Sequence, residues 1–360
     1  MTGILVFIKE LFGINNFGFP QSEAVKREKT IKKALTKVQL PNLEDNRVAV
    51  VPWWETPIIK DESAEFEEIE NTVLYDELEI TLKESRLEVI EIPETISAVL
   101  GIIHRKHFWY SEVVELIERS PVLTGDFLSI VNSAAFSRGI FIYDLSLALP
   151  RLGRTKIQSI LFLNASKMSL PETPLFKSIT EEIISESQAV AKICRILSPV
   201  FRIDSSEAFL SGLLHNIGKI GLLKQIHKHY NLPDDLDIEY HQTLFKNIIP
   251  HFENKASRII GEYWKLDKKT INVISRHNEL DRLLRDGIRG PVLQLAALVN
   301  LSVYLARIMG YGESVIGETK VFDQQSCKIL NFTDTPANRA LLTYVHDSFQ
   351  EEDAVEEDVA

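Results

Sequence analysis

Apolar side chains recur along most of this chain at the three-and-four spacing of helices that bury one face. The pattern is densest from Ala208 to Leu223, where Leu210, Leu213, Leu214, Ile217 and Ile220 mark a buried face. Into that run the chain sets Ser211, His215, Asn216 and Lys219. The spacing predicts one continuous helix with Ser211, His215 and Lys219 one turn apart, and Asn216 rotated beside them. A polar stripe inside a core has to find partners, since an unsatisfied buried polar group costs about 1–3 kcal/mol. Gly212 and Gly218 weaken a helix by about 1 kcal/mol each relative to alanine but let another backbone come close. The stretch therefore reads as selected for what its stripe touches.

Elsewhere the pattern divides the chain. Ile4, Leu5, Ile8, Leu11 and Phe12 form a short amphipathic helix, and residues 25–38 a second one with a lysine-rich face. Residues 41–57 read as a linker or short strand carrying Trp53-Trp54. Residues 61–94 are strongly acidic, with Phe66, Ile69, Val73 and Leu74 at helical spacing. Residues 1–86 are thus expected to be a mostly helical appendage. From Leu87 helix follows helix: Pro93 opens one, Ser111 is placed to cap the next, and Ser120-Pro121 breaks and restarts the chain. Phe127, Leu128, Ile130 and Val131 lead to Asn132-Ser133-Ala134-Ala135-Phe136, then an Arg138-Gly139 turn and a helix reaching Leu152-Gly153. No run alternates like a strand. The expected class is all-α.

Composition narrows the partners. A net charge of −11 argues against nonspecific nucleic-acid binding and favours basic partner patches, and the lysine face of residues 25–38 lacks interleaved aromatics. Cys194 and Cys327 stand far apart among aliphatic residues and read as small core hydrophobes. The apolar opening is interrupted by Lys9 and Glu10, and residues 292–309 contain Gln294, Asn300, Ser302 and Arg307. Neither reads as a membrane span, and a cytoplasmic location is expected.

The motifs resemble a known family. Pro93, Ser120-Pro121-Val122-Leu123 (serine replacing the usual aspartate), Asn132-Ser133-Ala134-Ala135-Phe136 and Leu152-Gly153 occur in the order of the HDOD domain. Leu213-Leu214-His215-Asn216-Ile217-Gly218-Lys219, Trp264 with Leu266, and Arg276-His277-Asn278 continue it. This domain is the output-module relative of the HD metal-dependent phosphohydrolases. The resemblance spans residues 87–312 and implies a two-lobed helical domain with a groove. Residues 313–349 are left as a helical extension and residues 350–360 as a disordered acidic tail.

The resemblance also says where metal ligands would stand. The upstream histidine position reads Glu186, His215 is kept, and Asn216 replaces the defining aspartate. The next histidine position reads Glu253, or His251 if the register slips; His277 is kept beside Asn278; the late aspartate falls on Ser302-Val303. An amide oxygen is a weaker ligand than a carboxylate. The expectation is a vestigial pocket of Glu186, His215, Asn216, Lys219, Glu253 and His277, with no catalytic residues, metal or cofactor. A non-catalytic bacterial signalling module that binds a protein partner follows from the resemblance. The alternatives are a phosphohydrolase using the substituted ligands, and a sensor that binds a nucleotide or other anion without cleaving it.

Overall fold

The computed structural model describes residues 73–88, 92–132, 142–168, 173–229, 238–312 and 320–357, and every regular element among them is helical. The two N-terminal amphipathic helices, Trp53-Trp54, the first part of the acidic stretch, Ser133–Phe136 and the Arg138-Gly139 turn lie outside the described residues. Chain contacts divide the protein into one unit of Pro57–Asn331 and another of Met1–Thr56 with Phe332–Ala360.

In the first unit, α1 (Val73–Lys83) buries Leu74, Leu78 and Leu82, spaced four residues apart on one face. It packs on α10 (Ile238–Tyr263), where the Tyr75 ring lies 4.8 Å from Phe252 and 5.8 Å from His251. Helix α1, which precedes the boundary expected at residue 87, belongs to the same core. Five helices follow: α2 (Glu94–Ile103), α3 (Tyr110–Ile117), α4 (Pro121–Asn132), α5 (Leu145–Leu152) and α6 (Arg154–Met168). Helix α3 starts one residue before Ser111, which is therefore not its cap; the Glu112 carboxylate instead accepts the Trp109 N–H at 3.4 Å. Ser120 does cap α4, accepting the Leu123 N–H at 3.3 Å. The Asn132 amide donates to the Ile142 carbonyl and accepts its N–H, both at 2.7 Å, which ties the end of α4 to the approach to α5. Gly153, at φ +75°, separates α5 from α6.

The remaining helices are α7 (Pro174–Leu197), α8 (Ser205–Leu214), α9 (Ile217–His229), α10, α11 (Lys268–Ile274), α12 (Leu280–Arg285), α13 (Gly290–Ile308) and α14 (Gln325–Leu330). Helix α13 is long and apolar enough to cross a membrane, but here it packs on α7, α11 and α14 with Leu295–Val299 buried. Trp264 stacks on Phe162 of α6, their ring centroids 4.7 Å apart, and one apolar cluster runs from Leu74 to Ile274. The two groups of helices thus share a core.

The Ala208–Leu223 run is two helices, not one. His215 Nδ1 donates to the Gly212 carbonyl at 2.7 Å, and the Gly218 N–H goes to Ser257 Oγ at 3.1 Å, so the backbone ladder is interrupted. Both glycines are required by close approach. A Cβ on Gly212 would lie 2.9 Å from Ala191 Cα, and one on Gly218 would lie 2.2 Å from the Glu253 carbonyl oxygen.

In the second unit, α15 (Pro336–Glu357) is helical well into the segment expected to be a tail. Glutamate and alanine are good helix formers, and extending a helix is easier than starting one.

Candidate functional site

Five helices of the first unit bring the sequence-predicted residues together. Helix α7 supplies Glu186, the α8–α9 junction His215 and Asn216, α9 Lys219, and α10 Glu253, while His277 follows α11. All except Glu253 are more than nine-tenths buried, and the Glu253 side chain is 14% exposed. His251 is exposed against Tyr75 and takes no part. Ser211 is buried, yet its hydroxyl has no hydrogen-bond partner. Ser302 and Val303 are buried in α13.

Arg307, in the last turn of α13, completes the site, and no motif pointed to it. Its Nε donates to Glu186 Oε1 at 2.6 Å. Asn216 Nδ2 donates to Glu186 Oε2 at 2.7 Å, and Lys219 Nζ stands 3.8 Å from that same oxygen. Lys219 also lies 3.8 Å from Glu253 Oε2, while Asn278 Nδ2 donates to Glu253 Oε1 at 2.8 Å. The chain then folds over Glu186 through Gly312, at φ +83°, where a Cβ would sit 2.6 Å from the carboxyl carbon. Only glycine fits that crossing.

Charge closes within this cluster. Burial pushes the Glu186 carboxyl upward, but Lys219, Arg307 and His215 outweigh it and hold it at about 2. Burial lowers His215 to about 4, against the pull of Glu186. Burial, reinforced by His215, Lys219 and Arg307, drives His277 well below its ordinary value. At neutral pH Glu186 is therefore ionised beside Lys219 and Arg307, and both imidazoles are neutral. Because a carbonyl can only accept, His215 carries its proton on Nδ1, which leaves Nε2 bare. Nε2 of His215 and Nδ1 of His277 are buried without partners, and the two rings meet edge to face at 5.2 Å.

The phosphohydrolase relatives imply a divalent cation, and these residues do not fit one. A metal needs free anionic oxygens; here a lysine ammonium lies between the two carboxylates, and an arginine grips the more buried one. Among the described residues no group of three or more His, Cys, Asp or Glu is arranged to hold a metal ion. The cavity beside Glu186 and Lys219, lined by Ile183, Phe245 and Ile249, has a volume of about 20 Å³. That admits about one water molecule, whereas ligand pockets run to roughly 300–1,000 Å³.

Known proteins share this architecture. A candidate metal-dependent phosphohydrolase from Shewanella amazonensis SB2B superposes with a TM-score of 0.58 at 18% identity, covering 77% of this chain and 98% of its own. An HDOD domain protein with unknown function from Geobacter sulfurreducens gives a TM-score of 0.54 at 15% identity, covering 78% and 95%. A candidate signal transduction protein from Marinobacter aquaeolei VT8 gives 0.50 at 18% identity, covering 77% and 64%. At such identities these likenesses concern the fold. An uncharacterized protein of Treponema pallidum (strain Nichols) is 22% identical over 226 residues, which is 60% of this chain and 42% of that relative's length. The HDOD domain family matches residues 89–280, more than half of the sequence, which takes in every helix of the site except α13, and the chain belongs to that family.

Proposed function

We propose that this chain is a signal-transduction module that does not hydrolyse phosphoesters and acts by binding a protein partner. The observation that carries this reading is the position of Lys219, its ammonium 3.8 Å from both Glu186 and Glu253. A fixed internal cation neutralises the carboxylates that a metal would need, so the site serves as a buried cross-link between α7, α9, α10 and α13. Removing one member of such a network is strongly destabilising, which gives selection a reason to keep it without catalysis. The likeness to the Marinobacter protein, a candidate signal transduction protein, agrees with this reading.

The test is a hydrolysis screen of nucleotides and cyclic dinucleotides with added Mg²⁺, Mn²⁺ or Zn²⁺, using the intact chain and its His215→Ala variant. The expected result is no turnover that depends on His215. Turnover lost in the variant overturns the reading. A second reading, a phosphohydrolase or anion sensor with substituted ligands, is favoured by the unpartnered ring nitrogens of His215 and His277. It requires Lys219 to swing away from the carboxylates, and the same screen decides it.

A further inference from the structure

We propose that the surface formed by the α2–α3 loop and the outer face of α5 docks an acidic segment of a partner protein that also carries apolar side chains. The proposal rests on the partner-binding reading above and assigns it a place well away in sequence from the buried network.

Trp109 is 77% exposed, although burying an aromatic ring is among the larger gains a side chain offers. It is not loose. Its backbone is extended at the start of α3, and its N–H is held by Glu112. Next to it the Phe108 ring packs edge-on against Tyr110 at 5.1 Å, and Arg154 of α6 lies 5.0 Å above the Phe108 centroid. The side chain of Gln158, one turn further along α6, meets His104 at 3.3 Å, so the loop is seated on the start of that helix. From there the surface continues along α5, where Leu147 and Arg151 stand one turn apart. Leu147 is 60% exposed, and Tyr143, just ahead of the Asp144 N-cap, is 82% exposed.

The charge of this strip opposes that of the whole chain. Lys106, Arg151 and Arg154 are exposed, and none is in an ion pair among the described residues. The nearby acids are committed, Glu112 to Arg105 at 2.8 Å and Asp144 to the Ser146 N–H at 2.6 Å. On a protein of net charge −11, three unpaired cations beside exposed Trp, Leu and Tyr side chains complement an acidic, apolar-studded peptide. Single-stranded nucleic acid fits less well, because Arg154 covers the Phe108 ring and three cations make only a short track for a phosphate backbone. An anionic membrane fits less well too, since polybasic lipid sites use roughly four to eight cations.

The experiment is to pan a displayed random-peptide library on the full-length chain, with folding of each variant confirmed by circular dichroism. Enriched peptides are expected to be acidic with interspersed apolar residues. Their affinity should fall at least tenfold in Trp109→Ala and in the Arg151→Glu, Arg154→Glu double variant. Peptides without acidic bias, or equal binding to the variants, overturn the proposal. So does Trp109-dependent binding of oligo-dT or of vesicles containing phosphatidylserine that exceeds peptide binding. Failure here leaves the hydrolysis screen unchanged, so the two readings stand or fall separately.

Discussion

Replacing Asn216 with aspartate restores the family's acidic position and tests the logic of the buried network. At present Asn216 Nδ2 donates to Glu186 Oε2 at 2.7 Å. Asn216→Asp removes that donor and sets a second carboxylate against the first. Relaxed to about 4 Å, two like charges at an effective dielectric of about 20 repel by about 4 kcal/mol. The lost hydrogen bond adds about 1–3 kcal/mol. Lys219 and Arg307 offset part of this, so a net destabilisation of about 3–5 kcal/mol is expected at neutral pH. Urea unfolding followed by circular dichroism reads it directly. The loss should shrink in acid, as the pair takes up a proton. An Asn216→Asp protein as stable as the parent at neutral pH would refute the reasoning, because Glu186 would then not be the charged hub described.

Further expectations follow from the same geometry. Glu186→Gln removes the anion that Arg307 grips and that Lys219 shares with Glu253, and should lower the unfolding free energy by about 3–5 kcal/mol, and adding Arg307→Met should recover part of it in a double-mutant cycle. Gly218→Ala drives a Cβ to 2.2 Å from the Glu253 carbonyl oxygen and should cost about 3 kcal/mol or more, whereas Gly101→Ala, with nothing within 4 Å, should gain roughly 0.5–1 kcal/mol in the same melts. Acid should destabilise in two stages. The unfolded chain protonates its histidines near 6.5 while folded His215 resists to about 4, so stability falls across that window, with His277 adding in the same direction. Glu186, ordinarily near 4.5 and held at about 2, contributes stability above pH 4.5 that is lost as the pH falls toward 2. Unfolding midpoints measured from about pH 7 to about pH 3 check both stages; a flat profile contradicts them.

The helical class and the meeting of Glu186, His215, Asn216, Lys219, Glu253 and His277 were legible because helical periodicity and ordered motifs survive in the linear chain. Arg307 was not, since it lies 121 residues from Glu186 in sequence. Its signal was a lone cation in the last turn of an apolar helix, a place where snorkelling to solvent is the ordinary outcome. The break at His215 was hidden because apolar spacing continues through it on both sides; its causes are side-chain bonds to Gly212 and from Gly218, which periodicity does not encode. Tertiary context is also what places α1, ahead of residue 87, in the shared core. The acidic character of α1 suggested an appendage, while the Leu74, Leu78 and Leu82 stripe is what seats it on α10.

The most direct test of the account is the metal content of the chain purified without chelator and dialysed against Mn²⁺ and Zn²⁺, read by elemental mass spectrometry. If Lys219 and Arg307 neutralise the site, divalent metal remains far below one equivalent, and His215→Ala leaves that value unchanged. One or two equivalents per chain, lost in His215→Ala, would contradict the account.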